Sequence, residues 1–168
     1  MPDTIYTILP SPFSSIGLAA TSKGLYRLEI GVPSESSFVA LLKKEHHAIP
    51  VREDVFFDSI KKALSRYWAG KPIEFDLKLD LFRATPFQVG VWRTLCTIPY
   101  GQTRTYDWVA EQIGRPSASR AVGNACGRNR LPILIPCHRV IRKDGALGGY
   151  AGGLRIKKFL LRLEDRRQ

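Results

Sequence analysis

The sequence predicts a mixed α/β (α+β) chain in two parts: a small α/β domain over 1–84 and a mainly helical domain with a DNA-binding helix-turn-helix over 85–168. Three observations predict it. Strand and helix signals alternate through the first half. A two-helix pattern with a tight turn occupies about 105–129. The charge is also divided: residues 1–80 hold 10 Lys/Arg against 10 Asp/Glu, whereas 81–168 hold 16 against 5, so the whole net charge of +11 sits in the second half. A chain of 168 residues can bury a real core. Its 44% hydrophobic and 24% charged residues exclude a mostly disordered protein. No 18-residue apolar run marks a membrane span, and the early Asp3 with no basic region before it argues against a secretory signal, so a cytoplasmic protein is expected. Of the 16 cations in the second half 13 are Arg, whose forked donors suit phosphates and base edges. Nucleic acid is the first partner to test, against the alternative of a basic surface that only keeps the chain soluble.

In order along the chain, residues 16–30 read as two strands around a turn at Ser22-Lys23-Gly24. A short helix is expected over 36–46, and a stronger one over 54–69, where Phe56, Ile60 and Leu64 recur every four residues before Gly70. Residues 73–81 alternate Ile73, Phe75, Leu77, Leu79 and Leu81 with charges, the period of a half-buried strand. His46 and His47 fall in a polar stretch and read as surface residues. Thr85-Pro86 then opens a helix as N-cap and first-turn proline, with Phe87, Val91 and Leu95 as its stripe. Thr105 caps the next helix, Gly114-Arg115-Pro116-Ser117 makes a turn, and Ser117 caps a slim helix bearing Arg120. The small residues Ala118, Ala121, Gly123 and Ala125 let a backbone approach DNA closely. Two helices that merely pack a core would look alike, and the charge favours DNA. A last helix over 154–165 buries Ile156, Phe159, Leu160 and Leu163.

Three cysteines, Cys96, Cys126 and Cys137, with no CxxC, fit neither a disulfide framework nor a zinc knuckle. Residues 131–141, LPILIPCHRVI, read as a buried extended segment, since Pro132 and Pro136 disfavour a central strand. A lone cysteine is commonly inert and buried. Three features favour a working thiol: the adjacent His138, the cations Arg139, Arg142 and Lys143, and the glycine-rich run 145–153 that brings backbone N–H groups close to a ligand. Neighbours in an extended chain point apart, so a water bridging His138 to the Cys137 sulfur is expected. Glu164, at the edge of the last helix, is a candidate to orient His138, or else a surface carboxylate near Arg162 or Arg167.

At PCHRV (136–140) the chain resembles the O6-alkylguanine-DNA alkyltransferases, also called methylated-DNA–protein-cysteine methyltransferases. IPYG (98–101), SRAVGNA (119–125), RN (128–129), PILIPCHRVI (132–141) and GGYAGG (148–153) carry the likeness. It covers about 85–168 strongly, and 1–84 only in layout, as a ribonuclease-H-like α/β domain. The resemblance implies direct repair of double-stranded DNA: an O6-alkylguanine, or an O4-methylthymine, is flipped out, and a Cys137 thiolate takes the alkyl group for good. It implies activation from Glu164 through His138 and water. Tyr106 would donate toward guanine N3, the Ala151 N–H toward O6, and the carbonyls of Cys137 and Val140 would accept from the exocyclic amine. Pro132 and Tyr150 would wall the pocket, and Asn129 would hold the turn before it. Ser119, Arg120, Ala121, Gly123 and Arg128 would meet DNA in the minor groove, with Arg120 filling the stack. No cofactor and no metal are implied; some relatives hold zinc in the first domain, but residues 1–84 contain no Cys and only His46 and His47. Ala151 stands where relatives often have Ser, and Cys126 where an apolar residue is commoner. Cys137 itself distinguishes the chain from alkyltransferase-like proteins, which carry Trp there and only bind lesions. A monomer is expected. The competing class is a DNA-binding module without catalysis, which would share the charge and the helices but leave the Cys-His pair beside a glycine-rich loop unexplained.

Overall fold

A computed structural model describes residues 4–73 and 78–165. The chain divides into two compact units, Met1–Phe82 and Arg83–Gln168. In the first, strands β1 (Ile5–Ser11), β2 (Ser14–Thr21), β3 (Gly24–Ile30) and β4 (Val51–Arg52) form one sheet in the order β3-β2-β1-β4. The β2–β3 hairpin turns where the sequence predicts. Strand β1 is an addition to the sequence reading. Its apolar residues are interrupted by Thr7 and Pro10, and antiparallel pairing with β2 from Ile5↔Ala20 to Ser11↔Ser14 makes it a strand. Helix α1 (Glu35–His46) starts on a Ser34–Ser37 capping box, and its buried Phe38 and Leu42 join Tyr6, Ala19 and Tyr26 in a core. The helix expected over 54–69 begins as a 3-10 turn, Val55–Phe57, and continues as α2 (Asp58–Trp68) with Ile60, Ala63, Leu64 and Tyr67 buried.

Of the strand expected over 73–81, residues 74–77 lie outside the described part. The remainder pairs with β3: Leu25 N donates to Lys78 O at 2.8 Å and Asp80 N to Leu25 O at 2.8 Å. His46 differs from its surface expectation. Its ring packs between Tyr26 and Phe82, with centroids at 4.5 and 4.6 Å, because the C-terminus of α1 closes over an aromatic cluster. His47 is exposed.

In the second unit α3 (Pro86–Cys96) follows the predicted Thr85 cap, which accepts from Gln88 N at 3.2 Å. Strand β5 (Arg104–Thr105), α4 (Tyr106–Gln112) and α5 (Ser119–Gly127) form the helix-turn-helix. Thr105 caps α4 as expected. Ser117 does not cap α5: the cap position is Ala118, with no side-chain bond, and the Ser119 hydroxyl instead donates to Asp107 and ties α5 to α4. The short parallel strand β6 (Val140–Ile141) pairs with β5, and α6 (Leu154–Glu164) closes the unit. Among the described residues no helix is long and apolar enough to cross a membrane, and no group of three or more His, Cys, Asp or Glu could hold a metal ion.

Candidate active site

The segment read as extended is a strained turn. Ile135 N donates to Leu131 O at 2.8 Å, and between them the buried, β-branched Ile133 has φ 74°. A left-handed conformation costs a residue with a Cβ about 1–2 kcal/mol, so the surroundings have to hold it. Asn129 does so from both ends. Its Oδ1 accepts from Leu131 N at 2.9 Å, and its Nδ2 donates to Ile135 O at 2.8 Å. The same Nδ2 lies 3.1 Å from the Cys137 Sγ as a donor. Residues 137–139 then make one 3-10 turn, so Cys137 and His138 do not alternate across an extended chain.

Cys137 is 5% exposed, and what exposure it has opens on a cavity of about 690 Å³. Tyr106, Tyr150 and Ala151 line that cavity with it, as do Ser119, Arg120 and Gly123 of α5. Burial pushes the Cys137 thiol up to about 11, opposed by the Asn129 amide and then by the charge of Lys157. At neutral pH the sulfur therefore carries its proton, and the standing thiolate expected from sequence is not the resting state. Burial likewise pushes the Tyr106 phenol up to about 12, so it remains a donor. Its hydroxyl crosses Gly148, whose φ is +69°, and a Cβ there would lie 2.7 Å from the Tyr106 oxygen, so any side chain at this position strains the backbone and displaces the hydroxyl.

Behind the sulfur is a closed polar network. The fully buried His138 meets Glu164 Oε1 through Nε2 at 2.7 Å. Arg139 donates to the same carboxylate twice, Nε to Oε2 at 2.8 Å and Nη2 to Oε1 at 3.0 Å, and its Nη1 donates to Ile98 O at 2.7 Å. Gly101 N donates to Glu164 Oε2 at 3.2 Å, Tyr100 Oη to Leu163 O at 3.2 Å, and the guanidinium of Arg139 lies over the Tyr100 ring at 5.7 Å. The IPYG turn is thus a cradle for Glu164. Gly101 has φ +74°, and a Cβ on it would sit 2.7 Å from Glu164 O. Burial raises the Glu164 carboxyl, but the bonds from His138 and Arg139 outweigh it and hold the group at about 2. Burial also pushes His138 below its ordinary value, against the pull of Glu164, so the imidazole is neutral at neutral pH.

Of the three cations expected beside the sulfur, Arg139 is buried on Glu164, while Arg142 and Lys143 line the cavity with Cys137 as exposed side chains, and Arg142 pairs with Asp144 at 3.4 Å. The cation that acts on the sulfur is Lys157, fully buried and donating to the carbonyls of Val140, Leu147 and Gly149. The sequence reading missed it, as it missed Arg139 as the partner of Glu164. The signal was present: Lys157, Leu160 and Glu164 follow one another at three and four residues, so both charges occupy the core phase of α6.

The other candidates fall in three places. Cys137, Tyr106, Ser119, Arg120, Gly123, Tyr150 and Ala151 come together around the cavity. Asn129, His138, Val140 and Glu164 are buried behind it. Pro132 is half-buried on the strained turn, and Ala121 and Arg128 are exposed on or just after α5.

A paired DNA-facing helix and a cysteine backed by a buried His–Glu pair define a protein that does cysteine chemistry on nucleic acid. The sequence matches the DNA-binding domain of 6-O-methylguanine DNA methyltransferase over residues 86–166 and the ribonuclease-like domain of the same family over 4–81, so the chain belongs to that family. A methylated-DNA–protein-cysteine methyltransferase of Methanosarcina barkeri is 47% identical over 163 residues, which is 95% of this chain and 96% of the relative. That of Mycobacterium tuberculosis is 52% identical over 111 residues, 66% of this chain and 67% of the relative. The crystal structure of M. tuberculosis OGT in complex with DNA superposes with a TM-score of 0.82 at 41% identity, covering 97% of this chain and 94% of that one.

Proposed function

We propose that the chain repairs alkylated DNA directly, taking the alkyl group of O6-alkylguanine onto its own Cys137 in a single irreversible transfer. The observation that carries this reading is the sulfur of Cys137 on a cavity that α5 also lines, backed by the buried His138–Glu164 pair. The relatives are named for the same transfer. A cavity of about 690 Å³ is in the range that accepts a single flipped base. The basic, slim α5 supports docking on double-stranded DNA, with Arg120 entering the stack and Ser119, Ala121, Gly123 and Arg128 against the backbone.

The chemistry follows from the protonation states. The Cys137 thiol gives its proton through a water to His138, whose Nε2 is held by Glu164 and whose neutral ring can take a charge at Nδ1. The Glu164 carboxylate stabilises the imidazolium, and Arg139 keeps that carboxylate ionised. The sulfur attacks the alkyl carbon in line, forming the S–C bond as the C–O6 bond breaks. The electron pair stays on guanine, where Tyr106 donates a hydrogen bond to N3 and the Ala151 N–H one to O6, and guanine ends with the proton that the thiol lost. The carbonyls of Cys137 and Val140 hold the exocyclic amine, and Tyr150 and Pro132 bound the base. The thioether does not hydrolyse, so each molecule acts once. O4-methylthymine is the second substrate. The protein works as a monomer without metal or cofactor, in the cytoplasm.

Incubation with a duplex containing O6-methylguanine tests this. Tryptic mass mapping should find one methyl group, on the Cys137 peptide. A methyl group on Cys96 or Cys126 instead, or none, would overturn the reading. Cys137→Ser should lose transfer while keeping DNA affinity, because the phosphate contacts persist.

A further inference from the structure

We propose that Arg142 and Lys143, on the tight turn that faces α5 across the mouth of the cavity, grip the DNA phosphates on either side of the extruded nucleotide. The proposal rests on the reading of the cavity as the place of a flipped base, and it adds the part of the chain that holds that nucleotide's backbone. On the cavity wall Cys137 is nearly buried, whereas Arg120, Arg142 and Lys143 are exposed, so the sulfur lies deep and the cations stand at the rim. A base that reaches the sulfur leaves its sugar and phosphates at that rim. One side of it is α5, whose lining residues Ser119, Gly123, Asn124 and Gly127 are neutral. Arg120 is the exception, and it is committed to the base stack. Asp107, the one carboxylate among the described lining residues, is engaged by the Ser119 hydroxyl. Positive charge for a phosphate beside the lesion therefore comes from the opposite side.

The backbone fixes these two cations in place. Parallel pairing of β5 with β6 sets Thr105 beside Ile141, so the next residue of each strand, Tyr106 and Arg142, leaves the sheet at the cavity. Gly145 N donates to Arg142 O at 3.0 Å, which makes 142–145 a four-residue turn with Lys143 at its first corner. Arg142 N donates to Ala146 O at 2.8 Å and Ala146 N to Asp144 Oδ1 at 3.0 Å, closing the turn from both ends. Such a turn holds its side chains outward on a short, braced base. The Arg142–Asp144 pair, at 3.4 Å with both side chains more than half exposed, is long and open to water. Pairs of that kind are weak, whereas a guanidinium fork on two phosphate oxygens is among the stronger charged contacts, so Arg142 turns to a phosphate when one arrives. Lys143 adds a point charge that needs no fixed geometry.

The test reads the coupling between these side chains and particular phosphates. In the full chain carrying Cys137→Ser, fluorescence anisotropy gives affinity without transfer. The probes are duplexes with a central O6-methylguanine whose two flanking phosphates are either ordinary or neutral methylphosphonates. On the ordinary duplex Arg142→Gln and Lys143→Gln should each weaken binding about threefold to tenfold and lower the slope of log affinity against log salt by about 0.9. Neutral flanking phosphates should weaken the parent protein likewise, and should cost the double variant nothing further. The same methylphosphonates one helical turn away should weaken parent and double variant equally. Full additivity at the flanking phosphates, or the same coupling at both positions, would overturn the proposal, because either describes a basic surface and no clamp. Single variants that bind as tightly as the parent would overturn it too. With Cys137 restored, both single variants should transfer more slowly at low DNA concentration and regain the wild-type rate at saturation. Wild-type protein that takes no methyl group would sink the repair reading instead, and the affinity cycle would still decide whether this turn holds the flanking phosphates.

Discussion

The two units handle charge in opposite ways. Met1–Phe82 buries apolar side chains such as Ile16, Leu18 and Leu64, and keeps its described ion pairs at least partly open to water, from Arg27–Glu45, with side chains 14% and 11% exposed, to Arg52–Glu35 at 2.8 Å with both nearly half exposed. Among its described residues the buried polar side chains are Thr4 and Thr7. Arg83–Gln168 buries five polar residues around Cys137: Asn129 on its sulfur, His138 and Arg139 on Glu164, and Lys157 on the carbonyl of Val140. Buried charges are a weak route to stability, because desolvation offsets most of the attraction. Their concentration in one unit marks where the chain retains polar groups for chemistry, and it means the catalytic half should be the more fragile to single substitutions and to acid.

Glu164→Gln should show that fragility most. It leaves the Arg139 guanidinium buried without its carboxylate, and loss of one partner of such a pair costs about 3–5 kcal/mol. Urea unfolding should report that loss, and alkyl transfer should fall with it. A loss under 1 kcal/mol would remove the contrast between the units. Asn129→Ala should come next, at about 1–3 kcal/mol, since it strands Leu131 N beside the left-handed Ile133 and leaves Ile135 O with the Cys137 N–H alone. The sulfur also loses its donor, so the Cys137 thiol should titrate higher still, which thiolate absorbance can follow.

Gly148→Ala is a smaller effect on the fold, about 1–2 kcal/mol for the left-handed backbone. It should slow transfer more than it lowers stability, because the new Cβ displaces the Tyr106 hydroxyl; equal wild-type and variant transfer rates would break that link. Acid sensitivity sharpens the comparison further. His138 stays neutral in the fold below its ordinary value of 6.5, so the unfolded chain binds the extra proton and stability declines as pH falls below that value. Glu164 stays ionised down to about 2, so its contribution is present above its ordinary 4.5 and disappears as pH drops from there toward 2. Melting scans should show both losses in the wild type and only the first in Glu164→Gln. Smallest of all, Arg52→Gln in the first unit should leave the melting temperature unchanged, since water screens that pair.

How far the sequence reached follows the same division. Alternation and capping gave the β2–β3 hairpin, α1, α3 with its Thr85 box, α4 and the position of α6, because those signals are local and repeat along the chain. The cysteine beside a histidine and a glycine-rich run, together with the family motifs, located the site. The strand β1 was hidden because only its partner β2 defines it. The cap of α5 was misplaced because Ser119 found a better acceptor in Asp107, a residue on another helix.

The residues thus determined by themselves where most of the helices lie, which half is basic, and which cysteine stands in the family motif. Tertiary structure alone decided the electrostatics of that sulfur. Arg139 lies two residues on in the sequence yet turns away to Glu164, while Lys157, 20 residues along the chain, is folded in to donate to the carbonyl of Val140. Sequence proximity does not set a field; distance and exclusion of water do, and both exist only once α6 has packed.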